Sequence, residues 1–190
     1  MLKRIVIAGL LTVWAAAPGA RELDINIQDE AAEIGFYIPP PAETQIEDTS
    51  LGGSVFFNTN DDLVLSGIAH VQGPPAEGFS PLQFGAGAKV YGAYVSEPSR
   101  TVAGVGLSGS SRLTIPAQVP QALVLRGHVA PQITSFGRLD RVFEAVVRYK
   151  LEFTPRATAY LGYRYKRFYM DSDSDQTLDD RVHLGVRIAF

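Results

Sequence analysis

Three groups of residues in this chain are of types that could carry chemistry. The histidines are His70, His128 and His183. None has a nucleophile close in sequence, but a triad assembles in space, so any of them could serve a hydrolase as general base. The plainer reading makes each an inward side chain of a sheet. The acidic run Asp171-Ser172-Asp173-Ser174-Asp175, continued by Asp179 and Asp180, alternates its acids as a calcium loop does. Counted from Asp171, however, positions six and twelve hold Gln176 and Val182, where an EF-hand loop needs Gly and Glu. A solvated loop is the reading that remains. Gly104, Gly106 and Gly109 are spaced like part of a phosphate loop, yet no Lys-Ser/Thr follows and no helix begins, so they read as thin positions in a strand. Cysteine is absent, which excludes disulfides and a lipoprotein's lipidated cysteine. No catalytic residue, metal site or cofactor is expected.

The elements that hold these residues alternate with period two. Phe143, Ala145, Val147, Tyr149, Leu151 and Phe153 share one face of a strand, with Glu144, Val146, Arg148, Lys150 and Glu152 on the other. As a helix, the same segment would scatter charge around its circumference. Ala157 to Lys166 alternates likewise, and Thr154-Pro155-Arg156 predicts a tight turn joining the two into a hairpin. Further strands are predicted at Leu51 to Asn58, Leu63 to Gln72, Leu82 to Tyr94, Val102 to Ile115, Ala122 to Ile133 and Arg181 to Phe190. Gly73-Pro74-Pro75 and Ser96-Glu97-Pro98-Ser99 read as turns. Near the amino terminus, Leu23 to Gln28 and Ala31 to Ile38 form either a hairpin about Asp29-Glu30 or one long strand. The first gives ten strands and the second nine. Single-chain bacterial barrels keep even counts, so ten is favoured, with eight the alternative if a Gly-rich segment is loop.

The first residues explain how such a sheet reaches its compartment. Lys3 and Arg4 precede an apolar stretch from Ile5 to Ala17 and then small residues, the pattern of a signal peptide over residues 1–20, cleaved after Gly19 or Ala20. The stretch is shorter than the roughly 20 residues of a spanning helix. No long apolar segment follows, so residues 21–190 either stay soluble or cross a membrane as a closed barrel. The formal net charge of -3 argues against a nucleic-acid partner.

Alternation alone leaves the direction open, because a soluble small-ligand barrel has the same period with its apolar face inward. Aromatics near strand ends favour apolar-out: Phe143 and Phe153, and Tyr165, Phe168 and Tyr169, would form girdles at two interfaces. In that orientation Lys89, Arg126, His128, Glu144, Arg148, Lys150, Glu152, Arg164, Lys166, Arg181, His183 and Arg187 face the lumen. A narrow interior filled by an ion network, or a narrow pore preferring anionic solutes, are the two consequences. Val182, Leu184, Val186, Ile188 and Phe190 end the chain as an aromatic-terminated alternating strand, the form of a barrel-assembly signal.

The stretches GAGAKVYG (85–92), SFGRLDR (135–141), FTPRATAYLGYRY (153–165) and TLDDRVHLGVRIAF (177–190) resemble the YfaZ family of outer-membrane proteins. The resemblance implies an outer-membrane barrel and transfers no catalytic or ligand-binding residue. The expected protein is thus an all-β, closed antiparallel transmembrane barrel with both termini periplasmic, acting structurally or as a narrow porin-like channel. Its expected partners are outer-membrane lipid, lipopolysaccharide and the barrel-assembly machinery. A soluble periplasmic ligand-binding barrel and a rim hydrolase are the rival readings.

Overall fold

A sheet with one wholly apolar face must cover that face or turn it to lipid, and a sheet with free edges must close or protect them. In the computed structural model the sheet closes. The structure describes residues 22–38, 49–76, 78–97, 99–170 and 175–190. The signal peptide expected over 1–20, the prolines at 39–41 and residues 171–174 of the acidic run lie outside them.

The strands are β1 (Glu22–Ile27), β2 (Ala31–Ile38), β3 (Thr49–Asn58), β4 (Leu63–Ala76), β5 (Phe79–Val95), β6 (Arg100–Ile115), β7 (Gln121–Ala130), the two-residue β8 (Ser135–Phe136), β9 (Leu139–Thr154), β10 (Ala157–Met170) and β11 (Gln176–Ala189). Each pairs antiparallel with its neighbour around the wall, and β1 pairs with β11 from Glu22↔Ala189 to Ile27↔Leu184, which closes a ten-stranded barrel. The short β8 adds no stave. It pairs with Ala103 and Gly104 of β6 and patches the wall beyond the end of β7.

The amino-terminal ambiguity resolves as a hairpin. Gln28 N–H donates to Ala31 C=O across Asp29-Glu30, and Leu23 pairs with Phe36. Several boundaries depart from expectation, two of them at prolines. The strand expected to run to Ile133 stops at Ala130, because Pro131 has no N–H for the ladder, and a 3-10 turn follows at Gln132–Thr134. Gly73-Pro74-Pro75 is not a turn: β4 continues through it, and its register against β5 shifts between Gln72 and Pro75, an irregularity of the kind that accommodates proline in a strand.

The apolar face points outward. Val147 is 40% and Leu184 63% exposed, and Leu65, Val90, Leu107, Leu125 and Leu161 share that outer surface. Glu22 and Ala189 pair at one end, which we call the terminal end. At the opposite, distal end the interior is apolar: Phe56, Val64, Tyr91, Val95, Val102, Phe168 and Met170 pack into one buried cluster. Phe168 is therefore not a girdle residue. It has the parity of Arg164 and Lys166 on β10, which turns it inward to 1% exposure, whereas Tyr163 and Phe143 remain outside.

Interior rings are seated on glycines of adjacent strands. A Cβ on Gly185 would lie 2.2 Å from the Tyr160 ring, and one on Gly104 2.3 Å from the Tyr91 hydroxyl. Gly106 similarly faces the His128 ring, so Gly104 and Gly106 are thin positions because bulky neighbours lie across them.

Candidate functional site

Ten strands leave an interior that side chains can largely fill. Below the apolar cluster, inward positions of β2, β5, β9, β10 and β11 place three cations against three carboxylates. Arg164 donates through Nη1 to Glu33 and through Nε to Asp179, the latter at 2.5 Å. Lys89 Nζ lies 2.7 Å and Lys166 Nζ 3.6 Å from the same Glu144 oxygen. Phe56 joins this layer to the apolar one, with Lys166 Nζ 4.6 Å and the Arg164 guanidinium 5.1 Å from its ring centre. Arg164, at 0% exposure, is among the largest fully enclosed side chains.

Closer to the terminal end the centre is Asp24. It accepts from Arg187 Nη2 at 2.7 Å, from Arg187 Nε at 3.0 Å and from the Tyr160 hydroxyl, with Arg148 3.6 Å away. Arg187 also reaches Glu22 at 3.4 Å and stacks 4.7 Å from the centre of the Tyr37 ring. Arg148 Nε donates to His183 Nε2 at 3.3 Å and stacks 4.5 Å from the centre of the Tyr160 ring. At the mouth, Arg112 pairs with Glu152 at 2.9 Å. A void among these groups measures about 50 Å³ and is lined by, among others, Tyr37, Ser54, Lys89, Arg126, Arg148 and Lys150. A void of this size suits a small guest.

A model of one family, described as YfaZ precursor, matches residues 2–190. The chain belongs to the YfaZ family. Comparison with curated proteins found no match, and comparison with solved structures found none either.

In this YfaZ-family barrel, eleven of the twelve residues expected in the lumen lie on inward strand positions: Lys89, Arg126, His128, Glu144, Arg148, Lys150, Glu152, Arg164, Lys166, His183 and Arg187. Arg181 does not join them. Since β1 ends at Ile27, β11 has no partner beyond Leu184 on that side. The Arg181 side chain, 43% exposed, instead meets Glu30 and Asp29 at the distal rim. Val182, Leu184, Val186 and Phe190 are outward and exposed, with Ile188 alongside.

The acids Asp24, Glu33 and Asp179 are central to the network and were absent from the expected set. Alternation could have found the first two once the amino-terminal hairpin was accepted, because Asp24 and Asn26, and Glu33 and Tyr37, fall on its polar face. The three histidines do not converge. His70 Nε2 lies 3.0 Å from Ser110 Oγ, a contact allowed because Gly85 leaves space between the two strands. Among the described residues no carboxylate is hydrogen-bonded to His70, and the pair lies on inward positions of β4 and β6, away from the distal rim. Also among the described residues, no group of three or more His, Asp or Glu is arranged to hold a metal.

Proposed function

We propose that this protein is an integral outer-membrane barrel without catalytic activity, and that its role is structural: a lipid-anchored, plugged cylinder. The observation that carries the reading is the division of side chains between the two faces. Apolar residues cover most of the outside, with Arg141, Arg167 and Asp180 outward towards the distal end, while arginines, lysines and carboxylates pair within. Water has no use for that arrangement, whereas acyl chains require it. A soluble small-ligand barrel would need an apolar interior with room for a ligand, and here the middle of the lumen is charged and nearly full. The porin-like version is the weaker one, because the buried cluster around Phe56, Tyr91 and Phe168 lies across the distal lumen. A rim hydrolase finds little support in a Ser110–His70 pair that has no acid behind it among the described residues.

On this proposal the outward surface contacts lipid and lipopolysaccharide, the terminal end faces the periplasm, and the alternating strand ending in Phe190 is read by the assembly machinery. Membrane fractionation with heat-dependent gel mobility tests location and barrel closure together. Recovery in the outer-membrane fraction as a heat-modifiable band is expected. Recovery as a soluble periplasmic protein would overturn the proposal.

A further inference from the structure

The lumen charges are not evenly matched. In the layer near the apolar cluster, Lys89, Arg164 and Lys166 meet Glu33, Glu144 and Asp179, and each cation reaches a carboxylate. Towards the terminal end, the described inward residues are Arg112, Arg126, Arg148, Lys150 and Arg187 against Glu22, Asp24 and Glu152, five cations against three acids. The two left over can be named. Arg126 and Lys150 have no ion pair among the described residues, and Arg126 Nε is buried without a hydrogen-bond acceptor. Asp24 and Glu144, carboxylates whose charge acts on them, are already held by Arg187, Tyr160 and Arg148 and by Lys89 and Lys166. Two uncompensated cations in a confined space repel each other and lack the solvation they had in water. Both line this void, with Arg148, Tyr37 and Ser54, and Glu33 and Glu144, held by their own cations, line it towards the apolar cluster.

Access is one-sided. Among the described residues, side-chain exposure rises from 0% at Arg164 to 22% at Arg187 and 32% at Arg112, so the charged lumen they form is closed distally and more accessible at the terminal end.

We propose that this blind vestibule is a binding site for a small inorganic oxyanion such as phosphate or sulfate, which enters from the terminal end and is held by Arg126 and Lys150. The guanidinium fork and the ammonium supply charge-assisted donors. A void of about 50 Å³ is small for a sugar or an acyl chain, which favours a free ion as the ligand. The site stands on lumen geometry and does not depend on the lipid placement proposed above.

The test is calorimetric titration of the full barrel, folded in detergent micelles, with inorganic phosphate at constant ionic strength. Saturable binding is expected, weakened about tenfold or more by Arg126→Gln and by Lys150→Gln, each of which removes a charged donor. Arg112→Gln, at the mouth and already paired with Glu152, should bind within about twofold of the parent. A second readout needs no variant: phosphate should raise the unfolding temperature of the parent protein by mass action, where equal ionic strength from chloride does not. Absence of saturable binding, binding unchanged in the Arg126→Gln/Lys150→Gln double variant, or equal stabilisation by chloride would each overturn the proposal, and none of them bears on the outer-membrane reading.

Discussion

Lys89 of β5 and Glu144 of β9 meet at 2.7 Å across the lumen, although two staves of the wall, β6 and β7, stand between their strands. The bond is thus a chord of the barrel, and Lys166 of β10 shares the same carboxylate. Replacing Glu144 by Gln leaves two enclosed cations facing a neutral amide. Removing one partner from a buried ionic cluster costs about 3 to 5 kcal/mol. We expect Glu144→Gln to lower the denaturant midpoint of the vesicle-inserted barrel accordingly, whereas Glu144→Gln combined with Lys89→Met should recover part of the loss. An unchanged midpoint in the single variant would show that the chord contributes nothing.

The orientation of the wall predicts a sharp asymmetry between neighbours on one strand. Val147 lies near the middle of β9 and faces out, while Arg148 faces in. An arginine on the lipid face near the midplane costs about 2 to 4 kcal/mol. Val147→Arg should therefore destabilise the inserted barrel by that amount and Val147→Leu hardly at all. Spin labels at 147 and 184 should report contact with lipid-soluble relaxation agents, and labels at 148 and 187 should not. The reverse pattern would sink the outer-membrane assignment.

How far the sequence could be read depends on what each part of the structure obeys. Positions 143–153, 157–166 and 182–190 follow strict alternation, so their strands and their inward residues were legible from parity alone. The hairpin about Asp29-Glu30 was legible through the even-strand rule. Parity could not reveal that the distal lumen is apolar. Phe56, Tyr91 and Phe168 look like girdle or lipid residues to any rule that expects polar-in throughout, and only closure brings them together. Arg181 misleads for a different reason: its parity is inward, but β1 ends too early to wall it in. The pairing of Asp24 and Glu33 with arginines on β9, β10 and β11 lies more than 100 positions away in sequence, beyond the reach of local pattern.

The glycine seats give a prediction that parity does not. Tyr160 fits into the lumen because Gly185, on the neighbouring strand, lacks a Cβ that would sit 2.2 Å from the ring. Displacing Tyr160 would also loosen its hydrogen bond to Asp24. Gly185→Ala should cost about 1 to 3 kcal/mol through overpacking. The companion Gly109→Ala, where a Cβ meets nothing within 4 Å, should be close to neutral. Refolding yield by heat-dependent mobility, compared between the two variants, checks the contrast; equal yields would remove the seat as a folding constraint.

The apolar cluster decides whether ions pass. Val95 and Phe168 are each 1% exposed and lie with Phe56 and Tyr91 across the distal lumen, beyond the ionic layer. An ion crossing this region would shed its water against side chains that offer no replacement ligands. The parent barrel in a planar bilayer should accordingly stay silent over a wide range of salt and voltage. Truncating the plug has two opposing effects. Phe168→Ala should cost about 3 to 5 kcal/mol of stability as a core deletion, yet in the fraction that folds it removes the ring that packs against Tyr91, at 5.6 Å between centres. Brief openings are expected in Phe168→Ala, more in the double variant Phe56→Ala/Phe168→Ala, with the parent closed throughout. Steady conductance in the parent would mean that the cluster does not seal the lumen, and the plugged reading would give way to the channel.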